Sequence, residues 1–441
     1  MGRIIKEVSC AGRNVRCRCL LLLYLSVLLM SGCVSAQLQQ ARSEFYSGNL
    51  DQASAALSDP EDVSSRERLL FLMEKGVILH YAGQYPESII ALRAAAGLIK
   101  EQDRISASEQ AASLVTTEWL TDYKGEYAER LFVHTYLMMN YLMIGEVEDA
   151  LVEGKQYLEA YERYPACSGD LFTRALIAHC FEALGEINSA YIEYKKLAEL
   201  LPTPEPVAGK LCALAGQLGF DDEVEIYREY LPESALKPLG AEDAAELIVF
   251  AAQGRAPVKV PRNIVLPPSI RFSFATYEDV TDSFYPLVVQ SSPEAGPVNM
   301  VTTDMGQVLK ASLNERLVQI IAKETARAAA KEVIAQQIDD SNVEVLVRIV
   351  FFLLEEPDTR AWETLPAYLT LVRIPLRKGN NRIDLNQGGG QLIPEIVVTP
   401  EHSRYYYQSI RNGSFRKTSP PLSGDETVKV ISGSNSESTS P

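Results

Sequence analysis

The feature that most restricts this chain is a short pattern that returns through its first half: a glycine, any residue, an apolar residue, two more, then Ala or Ser. Clear copies are Gly48-Asn49-Leu50-Asp51-Gln52-Ala53, Gly83-Gln84-Tyr85-Pro86-Glu87-Ser88, Gly145-Glu146-Val147-Glu148-Asp149-Ala150 and Gly185-Glu186-Ile187-Asn188-Ser189-Ala190, with a degenerate copy at Gly219-Phe220. The steps between the glycines are 35, 62, 40 and 34 residues. Glycine enters a left-handed backbone at low cost and so ends a helix cleanly. The small residue lets the next helix close on the one before. The flanks are amphipathic at helical spacing: Leu131, Val133, Tyr136, Leu137, Asn140 and Tyr141 precede Gly145, and Tyr191, Tyr194, Leu197 and Leu201 run up to Pro202, which stops the helix. One such hairpin cannot bury its apolar face alone, so the hairpins are expected to stack into a curved solenoid with a concave side. The 62-residue step has room, around Ser106–Trp119, for an extra helix or a decayed repeat.

The 34-residue period and this spacing resemble tetratricopeptide-type helical hairpins. The resemblance implies a concave groove able to take a peptide or a partner helix, without naming the groove residues.

The composition changes at Gly254-Arg255-Ala256-Pro257. Pro257, Pro261, Pro267 and Pro268 mark extended chain, and Ile270, Phe272 and Phe274 alternate as in a strand. Asp304–Ile338 reads as one long helix with Leu309, Leu313, Leu317, Ile320 and Ile321 facing one way and an Ala-rich part at Ala322–Ala330. Lys323, Arg327 and Lys331 read as a solvated face paired with Glu324 and Glu332 rather than a phosphate site. Tyr368–Leu376, a turn at Arg377–Asn380, Arg382–Leu385, Glu395–Thr399 and Arg404–Ile410 read as antiparallel strands. The expected fold class is α+β multidomain: an all-α tetratricopeptide-like solenoid over 33–250, a smaller α+β domain over 255–411, and a Ser/Pro/Gly-rich disordered tail over 412–441.

Residues 1–32 have the build of an export signal. Arg3, Lys6, Arg13, Arg16 and Arg18 form a basic start, Leu20–Met30 is an apolar run, and Met30-Ser31-Gly32-Cys33 ends it. The run is too short to cross a bilayer, which takes about 20 apolar residues. Ser31-Gly32-Cys33 resembles the bacterial lipobox, with Met30 departing from the usual Leu. The resemblance implies cleavage before Cys33 and lipid on that cysteine, the palmitate-type chains anchoring the protein stably. Val34-Ser35, rather than an Asp, follow, which implies the outer membrane, facing the periplasm. The alternatives are a plain signal cut near Ala36 or an uncleaved anchor.

The chain carries a net charge of −16. The leader holds five basic residues and Glu7, so its loss would leave −20. Such a surface disfavours nucleic acid and anionic lipid alike. Cys167, Cys180 and Cys212 remain beyond Cys33; one disulfide among them stays open, and their spacing matches no zinc pattern.

His80, His134, His179 and His402 have no metal-spaced neighbours, and His179-Cys180 with Cys212 is the nearest approach to a cluster. Gly388-Gly389-Gly390 reads as a flexible loop. No nucleophile elbow, phosphate loop or dinucleotide fingerprint is present. No catalytic, cofactor or metal site is therefore expected. The most site-like group is Asp358, Arg360 and Trp362, read as a binding site or a structural corner.

Taken in order, the lipobox, the helical repeats, Tyr123-Lys124-Gly125-Glu126 with His134 and Asn140-Tyr141-Leu142, Ala256-Pro257-Val258-Lys259, the Ala-rich helix, and Asp358-Thr359-Arg360-Ala361-Trp362 through Leu365-Pro366 resemble a poorly characterised family of tetratricopeptide-containing bacterial lipoproteins. The likeness runs from Cys33 to about Leu385, with Ala361 where that family usually has Ser. It implies a fold and a location, not an activity. The expectation is a non-enzymatic envelope scaffold or regulator with a protein or peptide partner; the alternative is a ligand-binding or enzymatic domain in 255–411.

Overall fold

The computed structural model describes residues 36–58, 63–109, 121–231, 245–266, 270–280, 287–290, 297–338, 341–353, 356–386, 391–398, 405–412 and 429–430. The leader, Cys33, Gly388–Gly390, His402, most of the Ser106–Trp119 stretch and nearly all of the tail lie outside them.

Five helical hairpins fill the first half: α1 (Ala36–Tyr46) with α2 (Leu50–Ala56), α3 (Arg68–Tyr81) with α4 (Tyr85–Glu109), α5 (Tyr127–Ile144) with α6 (Val147–Tyr161), α7 (Leu171–Ala183) with α8 (Ile187–Leu200), and α9 (Glu205–Leu218) with α10 (Asp221–Arg228). The repeated glycine sits at each turn with φ of +84°, +74°, +91°, +74° and +75° at Gly48, Gly83, Gly145, Gly185 and Gly219. At all five turns the N–H of the next residue donates to the carbonyl five residues earlier at 2.9 Å, Asn49 to Glu44 through Phe220 to Ala215. These are Schellman caps, which satisfy the last carbonyls of the first helix. The small residue works as expected. Ala53, Ser88, Ala150 and Ala190 are fully buried, and Ser88 Oγ donates to Gly76 O at 2.6 Å. Gly76 lets the helices of its hairpin close up, since a Cβ there would stand 2.4 Å from Leu92 Cδ2. The long step between Gly83 and Gly145 is filled in part by α4, which runs for 25 residues.

The second half holds β1 (Ala245–Gln253), β2 (Val258–Leu266), β3 (Ile270–Glu278), β4 (Val288–Gln290), β5 (Asn299–Asp304), α11 (Met305–Gln336), α12 (Ser341–Leu353), β6 (Tyr368–Leu376), β7 (Gly379–Asn386), β8 (Gln391–Val398), β9 (Tyr405–Asn412) and the two-residue β10 (Lys429–Val430). They form a five-stranded sheet in the order β10-β9-β1-β6-β5, a β2–β3 ribbon and a β4-β7-β8 sheet. The expected antiparallel strands are present, and β9 adds a parallel pairing with β1, Glu246 opposite Tyr405 through Gln253 opposite Asn412. The boundary differs from the expected one: the sheet begins at Ala245, inside the stretch assigned to the helical half, because Leu247–Ala252 is an apolar run that periodicity alone cannot assign to helix or strand. The 412–441 tail is not wholly without structure, since Lys429 and Val430 pair with Tyr407 and Tyr406.

β1 is a central strand buried on both faces, which explains its unbroken apolar run. Ile248, Phe250 and Ala252 join the core of the helical hairpins. Leu247, Val249 and Ala251 join a second core with Ile383, Leu385 and Val398 of the β4-β7-β8 sheet. One continuous core thus extends from Leu38 in α1 to Tyr407 in β9.

On α11, Leu309 and Leu313 are buried, Leu317 and Ile320 are half-buried, and Ile321 is exposed. Arg327 is buried rather than on a solvated face, and Glu332 pairs with Arg348 of α12 at 2.9 Å. The side chains of Lys323, Glu324 and Lys331 lie outside the described ones.

Candidate functional site: a filled inner face and an open outer face

The first helix of each hairpin lines the inner side of a solenoid of this type. Here that side is occupied by the chain's own sheet, with β9 laid across it. Alternate side chains of β9 share one face, as strand geometry requires, and that face meets α7, α3 and α1. Tyr405 Oη donates to Glu182 Oε1 of α7 at 3.1 Å. Tyr407 Oη is 2.8 Å from His179 Nε2, also on α7. Ser409 Oγ is 2.7 Å from His80 Nε2 on α3. Arg411 lies over the rings of Phe45 in α1 and Tyr81 in α3, at 4.8 and 5.0 Å, and donates to Thr364 O at 2.8 Å. The groove expected to receive a partner peptide holds this strand instead.

Buried ion clusters fix the sheet there. Arg373 of β6 donates to Glu182 at 2.8 and 3.0 Å and bonds Glu246 of β1 and Tyr194 of α8. Lys210 of α9 reaches both carboxylates, at 2.8 and 3.0 Å. Burial opposes ionisation of Glu182, but Arg373 and Lys210 outweigh it and hold its carboxyl well below the usual range. Glu126, the N-cap of α5, is gripped by Lys259 and Arg316 at 2.7 Å each. Burial would raise its pKa; the two cations bring it down to about 2.

The expected Asp358, Arg360 and Trp362 group sits at the edge of this face. Arg360 Nε and Nη2 donate to Asp358 Oδ1 and Oδ2 at 2.8 and 2.7 Å. Its other donors reach Arg66 O at 2.7 Å and Thr121 O at 3.0 Å, in the loops before α3 and α5. Trp362 is buried near Tyr136, their ring centres 5.8 Å apart, and its backbone N–H donates to Glu129 Oε1 at 2.7 Å. Glu129 also accepts from Tyr123 Oη and Glu126 N, both at 2.6 Å. Next to it, the fully buried Glu74 accepts from Arg42 Nε at 2.8 Å, Glu363 N at 3.0 Å and Thr364 N at 3.3 Å. The three residues therefore lock the segment before β6 onto α5 and two loops, and Ala361, Glu363 and Thr364 extend the contact to Arg42 of α1 and Glu74 of α3. Residues 358–364 make these contacts with Arg42, Glu74 and Glu129, partners that sequence reasoning did not single out. Each of Glu74 and Glu129 is a lone acid inside an apolar helix, which was the available signal.

His179 and Cys180 do not join Cys212. Burial takes the imidazoles down, to about 4 for His80 and about 3 for His179. His134 Nδ1 contacts Glu153 at 2.7 Å. Cys167, Cys180 and Cys212 are free thiols. Among the described residues no group of three His, Cys, Asp or Glu is placed to hold a metal ion, and no helix is long and apolar enough to cross a membrane. A surface cavity of about 550 Å³, lined in part by Cys212, Val224, Arg228, Val298 and Met300, lies between the last hairpin and β5, away from Arg360.

The outer side differs. The seventh residue after the glycine is Ile90, Val152, Ile192 and Ile226 in four successive hairpins, and all four are between 41% and 71% exposed. In a water-facing helix this position is expected to be polar. Acids stand one turn before it at Glu87, Glu148, Asp149, Asp222 and Glu223, and bases one turn after at Arg93, Lys155 and Lys195. The flanking charges partly cancel between neighbours: Lys195 Nζ lies 2.6 Å from Glu223. An apolar row thus runs from repeat to repeat along the second helices. Aligning the copies on their glycines would have revealed it.

No protein-family model matches the chain, and no curated protein matches it. Solved structures with a similar helical part include MamA AMB-1, at 16% identity over 44% of this chain and 87% of that one, with a TM-score of 0.31. A Podosopora anserina protein described as a kinesin light chain with nearly identical TPR-like repeats is 17% identical over 44% and 91%, with a TM-score of 0.31. The apo form of RapI is 15% identical over 44% and 67%, with a TM-score of 0.34.

Proposed function

We propose that this protein is a bacterial envelope lipoprotein, held by lipid on Cys33 at the periplasmic side of the outer membrane, that acts as a non-enzymatic scaffold through the outer face of its repeats. One observation carries the choice of face: the inner groove is occupied by β9, whereas the same repeat position on the outer side exposes Ile90, Val152, Ile192 and Ile226. Exposed apolar surface that recurs in register is typical of a contact site. The anchoring part of the proposal rests on the lipobox resemblance at Ser31-Gly32-Cys33. Lipid is needed there because a chain of charge −16 gains nothing from anionic headgroups.

A photo-crosslinking residue placed at Val152 in cells producing the full chain tests the reading. The expected result is a discrete adduct with one envelope protein, lost in the Ile90→Lys/Ile192→Lys double variant and reduced in Cys33→Ala. An adduct profile unchanged by either variant, or no adduct, overturns it.

A further inference from the structure

Among the described residues, exposed large apolar side chains also gather away from the groove and the outer row, on the hairpin of α11 and α12. Past Leu313, Arg327 is the one buried residue among the described side chains of α11, and α12 has none. Val318, Ile321, Val333, Ile334, Val343, Val345 and Ile349 are between 43% and 76% exposed. The one cation of α12, Arg348, is tied back to Glu332 and Glu344 at 2.9 Å each, so the helix presents little free charge.

We propose that the α11–α12 hairpin is a self-association surface, pairing with the same hairpin of a second copy of this chain. Two arguments select that occupant. The first is area. Counted at their fractional exposure, the seven side chains present roughly 600 Å² per copy, so two copies remove at most about 1,200 Å², the lower end of a specific interface. The second is charge. Between Leu317 and Leu353 five acids face four bases, a net charge of −1, while the whole chain carries −16. The excess of acid lies in the helical half, so two copies that meet through this hairpin bring together segments close to neutral. A lipid surface would favour a basic rim on the arm, and the rim is balanced.

The geometry suits an isologous contact. A helical hairpin with apolar residues left on both helices completes itself by meeting its twin as a four-helix bundle. Each copy then supplies the same Val and Ile side chains to the shared core.

This pairing rests on the scaffold reading only in treating the outer surfaces as contact surfaces. A photo-crosslinking residue at Val345 of the full chain, produced in cells together with a second copy carrying a different tag, tests it. The expected product carries both tags, and an Ile349→Glu substitution in both copies lowers its yield by about tenfold, a loss of 1.4 kcal/mol in pairing. Combining Ile349→Glu in one copy with Ile349→Lys in the other restores the yield, which separates pairing from misfolding. Adducts only with lipid or with another protein, or no adduct, overturn the proposal. If the Val345 product is missing while the Val152 adduct persists, the pairing fails and the scaffold reading stands.

Discussion

The first and second helices of these hairpins come from one repeated unit and behave as two different materials. α3, α5 and α7 are largely apolar, with a few polar groups set among the apolar ones, such as Glu74 and His80, Glu129 and Asn140, and His179 and Glu182. α6, α8 and α10 are rich in charge, with Val152, Ile192 and Ile226 left in water. The inner polar groups are matched by the chain itself, and the outer apolar groups have no such cover. The same repeat therefore serves folding on one side and leaves a contact surface on the other.

The comparison is broken most directly from the inside. Glu74→Ala leaves Arg42 buried with Glu363 and Ala361 O but without its buried carboxylate partner, and should cost about 3–5 kcal/mol, measured by chemical denaturation. A loss under 1 kcal/mol would mean that the inner face is not held by its charges.

Acid should act on the same face. His80 has a folded pKa of about 4 against 6.5 unfolded. Above 6.5 both states are neutral and stability is full. As pH falls from 6.5 toward 4 the unfolded state alone takes the proton, so stability drops by about 1.4 kcal/mol per unit for this group. His179, with its pKa of about 3, adds a like slope, so His80→Gln should reduce the slope of that part of the stability–pH curve by His80's share, at some cost at neutral pH. Glu126, with its pKa of about 2, adds a separate loss as pH falls below about 4.5.

A smaller effect is expected at the turns between the two kinds of helix. Gly145 has φ of +91°, so Gly145→Ala should cost about 1–2 kcal/mol in thermal unfolding. The smallest belongs to the outer row. Val152→Lys should change stability by less than about 0.5 kcal/mol while removing the adduct formed at that face, and a large destabilisation would show that the row is structural after all.

The repeats were legible because their chemistry is local: glycine, small residue and helical period all act within one hairpin. The strands β6, β7 and β9 were legible by alternation for the same reason. What escaped was long-range. Ser409 meets His80 across 329 positions, and Trp362 meets Glu129 across 233. Nothing in either neighbourhood announces the other. The parallel placement of β9 beside β1 escaped because strand periodicity carries no direction, and the boundary at Ala245 because a doubly buried strand has no period to read. Asp358, Arg360 and Trp362 were singled out as a group, and their partners Arg66, Thr121 and Glu129 lie in the half of the chain from which they seemed separate. No described residue bears on Cys33.

The strand across the inner face also acts as a ruler. Repeat arrays ordinarily gain or lose units easily, because each unit touches only its neighbours. Here Tyr405, Ser409 and Arg411 must meet α7, α3 and α1 in one fixed order along a single strand. A hairpin inserted or deleted between them would put every later partner out of step. The number of hairpins between α1 and α7 is therefore tied to the length of β9.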